Sequence, residues 1–162
     1  MRSERMPSTP AVLALRAAKV EFTAHFYTYE EKGGTAVSSR ELGVDEHAVV
    51  KTLVMADDKA SPLIVLMHGD RKVSTKALAR VIGAKTVDPC SPEVAQRHSG
   101  YRVGGTSPFG TRKNMPVYVE RSVLALPAIY INGGSRGFLV RVAPDTVVRL
   151  LAAQPVDVAI AQ

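Results

Sequence analysis

The chain has 162 residues, 46% of them apolar and 22% charged, with one cysteine and a formal net charge of +6. That is enough chain to bury a core, too few cysteines for an internal disulfide, and it holds no apolar run long enough to cross a bilayer. The basic balance favours a polyanionic partner, and with no apolar leader legible a cytoplasmic location is the expectation.

Residues 1–8 read as a flexible tail, broken by Pro7, ahead of a single domain over 9–162. Thr9 and Pro10 have the order of an N-cap followed by a helix-opening proline, which predicts a helix to about Lys19 with Val12, Leu15 and Ala18 inward. Phe22 to Tyr29 alternates. Phe22, Ala24, Phe26 and Thr28 share one face and Thr23, His25, Tyr27 and Tyr29 the other, the pattern of a strand. Gly33 and Gly34 supply a flexible link, Ser38 and Glu41 have the spacing of a capping box, and Gly43 stops that helix before a short turn at Asp45.

Val49 to Ala56 is apolar on both faces, as in an interior strand, yet it carries Lys51. An ammonium there must snorkel to water or find a partner in a cleft. Leu63 to Met67 is a second buried strand, and the polar stretch between the two predicts a hairpin. His68 is expected to be structural or exposed. Ser74 caps a helix carrying Leu78, Val81 and Ile82 that ends at Gly83. Arg71, Lys72, Lys76, Arg80 and Lys85 gather around it, either a solvated face or a site for nucleic-acid phosphates. A short strand over Lys85 to Val87 follows, then a helix from Pro92 to about His98, capped by Ser91 and stopped by Gly100. Pro116 to Glu120, Ala128 to Asn132 and Gly137 to Val142 read as strands, the last two joined at Asn132-Gly133-Gly134. Pro144 opens the final helix, with Val147, Val148, Leu150 and Leu151 for packing and Gln154-Pro155 as its stop.

Gly100 to Gly110, GYRVGGTSPFG, concentrates more backbone freedom than a connector needs. Adjacent Gly104 and Gly105 leave bare N–H groups able to face an anionic or carbonyl oxygen, although an ordinary glycine-proline loop has the same composition. The loop is neither a Walker loop nor a dinucleotide fingerprint, and no serine-histidine-acid order or Cys/His metal spacing is present. Cys90 has no adjacent base and reads as a packing or surface residue.

With VVKTLV at 49–54 and IYINGGSRGF at 129–138, this loop resembles the YbaK family, free-standing relatives of the editing domain inserted in bacterial prolyl-tRNA synthetases. The likeness runs from about Thr9 to the last helix. It implies an α/β fold of the α+β type, with a mixed, largely antiparallel sheet surrounded by several helices. It also implies trans-editing: removal of a misacylated amino acid, chiefly cysteine, from tRNA(Pro), the cysteinyl thiol attacking its own ester. Carried onto this chain, Lys51 holds the 3′-terminal adenosine or the substrate's polar end, with Thr52 beside it. The Gly105 amide is the oxyanion donor within the pocket-lining run Gly104, Gly105, Thr106, Ser107 and Pro108. Tyr29 covers the ribose or base, Phe26 stacks, and Asn132 with Gly133 lies on the pocket side of the last hairpin. Related sequences carry an acid where this chain has Leu139, which bears on amine recognition. No cofactor or metal is implied; the implied partners are the acceptor end of an aminoacyl-tRNA and prolyl-tRNA synthetase. A same-fold deacylase for alanine or another small residue, and a non-catalytic tRNA- or synthetase-binding module, are the competing readings.

Overall fold

Residues 6–162 are described in this computed structural model. The expected tail lies outside them as far as residue 5, and Met6 packs against the main core. Thr9 caps helix α1 (Pro10–Ala17), its hydroxyl accepting from the Val12 N–H at 3.1 Å. Ala11, Val12 and Leu15 are buried. Ala18, expected inward, is exposed as the helix's C-cap. The strand read from alternation is shorter than predicted: β1 (Thr23–Phe26) stops where Tyr27 to Tyr29 leave the ladder.

Helix α2 (Gly34–Leu42) begins before Ser38, so the predicted capping box is absent. Gly33 is the N-cap, without a side-chain cap bond, and a Cβ there would meet Val37 Cγ2 at 2.4 Å. Ser38 is mid-helix and 2% exposed, its hydroxyl donating to the Thr35 carbonyl at 3.2 Å. Gly43 ends the helix and Asp45 caps a 3-10 turn at Glu46–Ala48, as expected.

The predicted hairpin forms from β2 (Val49–Asp57) and β3 (Pro62–His68). After it come β4 (Arg71–Val73), then α3 (Thr75–Ile82) between its Ser74 cap and Gly83, then β5 (Val87–Pro89), which starts later than read. Helix α4 (Pro92–Ser99) lies between Ser91 and Gly100 as read, and β6 is Val117–Glu120. A 3-10 turn at Arg121–Ala125, not read from the sequence, leads to β7 (Ile129–Ser135) and β8 (Phe138–Val142). Those two pair antiparallel, but not through Asn132-Gly133-Gly134: the register shifts between Asn132 and Ser135, which makes those glycines a bulge and moves the turn to Arg136-Gly137. Phe138 explains the choice, because its ring lies where a Gly133 Cβ would be, 2.3 Å away. Helix α5 (Asp145–Leu151) ends at Ala152, and Gln154-Pro155, expected only as a stop, opens β9 (Gln154–Val156). A final strand, β10 (Ala159–Ala161), pairs with β4.

The main sheet has the order β1-β8-β7-β2-β3-β6-β9, with β5 also on β2. Its hairpins are antiparallel, and β2/β7, β3/β6 and β6/β9 run parallel, giving the expected mixed and largely antiparallel α/β sheet. Because β2 sits near the middle, its alternate residues feed two cores. Val50 and Val54 join Leu15, Phe109, Ile131 and Phe138, while Met55 joins Leu78 under α3. The start of β2, with Lys51 and Thr52, is thereby fixed beside β7.

A cleft between the glycine loop and the β2 lysine as candidate active site

The glycine loop divides into a buried and an exposed half. Tyr101, 4% exposed, donates its hydroxyl to the Phe109 carbonyl and anchors the loop to the core; burial pushes this phenol's pKa up to about 12. Ser107, Pro108 and Phe109 turn inward, and the Ser107 hydroxyl accepts from the Phe109 N–H at 3.2 Å. Arg102, Val103 and Gly104 stay exposed, and Val103 and Gly104 edge a cleft of about 1070 Å³. Gly104 has φ of +88°, and a Cβ on it would meet Tyr29 Oη at 2.5 Å, so only glycine lets the tyrosine ring lie against the loop.

Lys51, Thr52, Tyr29, Gly104, Thr106 and Asn132 all line this one cleft. Asn132 closes one wall, its Nδ2 donating to the Gly104 carbonyl at 3.2 Å while its Oδ1 accepts from the Gly134 N–H at 2.7 Å. Lys51 extends to the β4–β10 ribbon, donating to the Arg71 carbonyl and, at 3.4 Å, to Gln162 Oε1. Burial draws its pKa below the ordinary lysine value, against the pull of Glu46 and Asp70 and with help from Lys72. Thr52 Oγ1 is buried with no hydrogen-bond partner among the described residues. A buried, unpaired hydroxyl in a cleft wall is a group waiting for a partner.

The remaining expected residues lie elsewhere. The Gly105 N–H, expected to face the oxyanion, donates to the Arg102 carbonyl at 2.8 Å, and Gly105 packs against the backbone of Ser135 and Arg136. Ser107 and Pro108 are in the loop's inward half, where apolar packing draws them. Phe26 stacks on Phe138 with centroids 5.1 Å apart and packs against the main core, and Gly133 lies under that same ring. None of these five lines the cleft. Conversely, Arg136 was not singled out from the sequence. Its guanidinium lies 4.9 Å from the Tyr29 centroid and its Nε donates to the Val103 carbonyl at 2.8 Å, clasping hairpin turn to loop. The signal was there in Gly137, a residue type that marks turns and here has φ of +76°.

Among the described residues no histidine lines the cleft, and Cys90, which does, has its pKa raised by burial. Elsewhere His47, His68 and Asp70 sit close enough together to suggest a metal site. His68 argues otherwise. Its Nδ1 donates to the His47 carbonyl and its Nε2 accepts from the Ser122 hydroxyl, both at 2.7 Å, leaving the ring no lone pair for an ion. Of the two expectations, structural or exposed, His68 is the first: it is 1% exposed and both ring nitrogens are engaged. No helix among the described residues is long and apolar enough to cross a membrane.

Residues 30–150 match the family model described as an aminoacyl-tRNA editing domain. An Enterococcus faecalis protein, EbsC, provisionally named a Cys-tRNA(Pro)/Cys-tRNA(Cys) deacylase, is 27% identical over 94% of each chain. A proline--tRNA ligase of Thermodesulfovibrio yellowstonii is 34% identical over 52% of this chain, which spans 14% of that ligase. Among solved structures, one described provisionally as a trans-editing enzyme for prolyl tRNA synthetase superposes with a TM-score of 0.82 at 22% identity, covering 98% of this chain and all 100% of its own. With residues 30–150, three-quarters of its length, matched by that model, the chain belongs to the aminoacyl-tRNA editing domain family.

Proposed function

We propose that this chain is a trans-acting deacylase that removes cysteine from mischarged tRNA(Pro). The observation that carries the reading is the Thr52 hydroxyl, buried in the wall of the cleft beside Lys51 without a partner. An aminoacyl ester brings what the cleft wants: phosphate for the ammonium, ribose for the Tyr29 face, and carbonyl or amine for the orphaned hydroxyl. The family match and the EbsC likeness support the same substrate class.

Among the described residues the cleft holds no paired base and nucleophile, and that favours a reaction in which the substrate supplies its own. The cysteinyl sulfur attacks the ester carbonyl carbon, a tetrahedral oxyanion forms, and the carbon–oxygen bond to the ribose breaks. The thiol proton leaves on the ribose oxygen, and the amino acid departs as a thiolactone. The protein's part is to position the ester and stabilise the oxyanion. The Gly104 and Thr106 N–H groups, which take no protein partner among the described residues, replace the engaged Gly105 amide as donors.

The direct test is a substrate with its sulfur blocked. S-methylcysteinyl-tRNA(Pro) is expected to survive the enzyme while cysteinyl-tRNA(Pro) is cleaved, and equal rates on both would remove the sulfur from the mechanism. Prolyl-tRNA synthetase is the partner the reading implies, and co-sedimentation of the two proteins in the presence of tRNA(Pro) checks it.

A further inference from the structure

Next to the cleft lies a second hollow of about 460 Å³, formed by α3, the turn after it and β5. Lys76, Arg80 and Lys85 line it together with Thr75, Thr86 and Asp88. Lys76 and Arg80 are four apart on α3, so they share its solvent face, and both are exposed. Among the described residues Asp88 is the only acid on the hollow's wall; nearby Asp58 is engaged, accepting from the Lys85 N–H at 2.9 Å. Among the described residues Lys72, Lys76, Arg80 and Lys85 have no ion-pair partner, whereas Arg71 is tied to Asp70 at 3.2 Å.

The two hollows share a wall. Thr75 lines both, and Lys72, three residues earlier on β4, lines the cleft. Cations therefore line both hollows, Lys51 and Lys72 in the cleft and Lys76, Arg80 and Lys85 in the second, with Thr75 common to the two. Lys51 is half-buried, and Lys72, Lys76, Arg80 and Lys85 are exposed and spread along the two linings, not gathered in one of them. A small anion is held by converging, buried donors; a spread of exposed cations fits a chain of regularly spaced charges.

We propose that the α3 hollow is a phosphate groove for the RNA strand immediately upstream of the terminal nucleotide held in the cleft. It rests on reading the cleft as an aminoacyl-ester site and adds the path by which the strand arrives. Among the described residues no aromatic or amide side chain lines the groove, and its three cations suit the phosphate backbone, whose charges carry no sequence.

The experiment compares the parent with Lys76→Ala/Arg80→Ala on an uncharged RNA minihelix with a single-stranded 3′ end, by fluorescence anisotropy over a salt series. Loss of two single-strand phosphate contacts flattens the slope of log K against log salt by about 1.4, with affinity at low salt falling roughly tenfold. Lys76→Arg/Arg80→Lys restores the slope. A second arm measures turnover of a cysteinyl-adenosine ester, which offers the groove no phosphate and reports the cleft alone; the double alanine variant is expected to match the parent there. Unchanged slope and affinity in the double variant overturn the groove, as does an equal loss on a minihelix lacking the 3′ overhang, which would make the cations a general polyanion surface. If neither protein cleaves any ester while the slope still flattens, the reading of the cleft fails and the groove stands.

Discussion

Thr52 is where stability and chemistry pull apart. A buried hydroxyl without a partner costs about 1–3 kcal/mol, and valine fills nearly the same volume without a polar atom. Thr52→Val is expected to stabilise the fold by about 1 kcal/mol in urea unfolding while deacylation falls roughly tenfold. A variant that is less stable and fully active would show that the hydroxyl does not face the substrate. Lys51 gives a companion prediction. Burial lowers its folded pKa, so below that pKa the folded state carries a strained charge that the unfolded chain does not. Lys51→Met should therefore be at least as stable as the parent at neutral pH, and its relative advantage should shrink as pH rises toward the ordinary lysine pKa. A gap constant with pH would mean that the ammonium is fully solvated.

At the scale of elements, the cleft depends on the glycine loop docking against the β7–β8 turn. A Cβ on Gly105 would stand 2.8 Å from the Arg136 nitrogen, and backbone cannot swing aside as a side-chain tip can. Gly105→Ala is expected to destabilise by about 1–3 kcal/mol and to weaken substrate binding as well, measured by thermal unfolding and KM. Full stability in that variant would contradict the docking. This element also marks the limit of what the sequence discloses. Caps stated locally were legible: Thr9, Ser74 and Ser91 each accept from a first-turn N–H, and Gly43, Gly83 and Gly100 each end a helix. Choices made by tertiary contact were not. Asn132-Gly133-Gly134 has the composition of a turn, but the Phe138 ring claims the space above Gly133 and converts it to a bulge. The three-residue strands β4, β9 and β10 are too short to show alternation, and only pairing defines them. Within the site, motif order brought Lys51, Gly104 and Asn132 to one cleft, but no spacing argument says which half of a glycine loop faces inward.

Over the whole molecule, the histidines shape the response to acid. His68, 1% exposed, has its pKa lowered chiefly by burial, so it stays neutral in the fold at pH values where the unfolded chain takes a proton. Its contribution is complete above pH 6.5 and is lost as pH falls from there toward the lowered folded pKa. His25 and His98 shift in the same direction. His68→Gln should flatten this part of the stability profile, and a profile unchanged from the parent would assign the acid limb to the other groups. The same sheet that buries His68 sets β2 beside β7, so Lys51 and Asn132, far apart in sequence, face one cleft.

Initial rates of deacylation on cysteinyl-, alanyl- and seryl-tRNA(Pro), measured side by side for the parent and Lys51→Ala, test this account most directly. Cysteinyl-tRNA(Pro) should be cleaved fastest and well above its spontaneous rate, with Lys51→Ala lowering that rate roughly a hundredfold, the effect of about 3 kcal/mol of lost electrostatic stabilisation. A preference for alanyl-tRNA would move the substrate to another small residue. No rate above spontaneous hydrolysis on any of the three would leave a binding module where an enzyme is claimed.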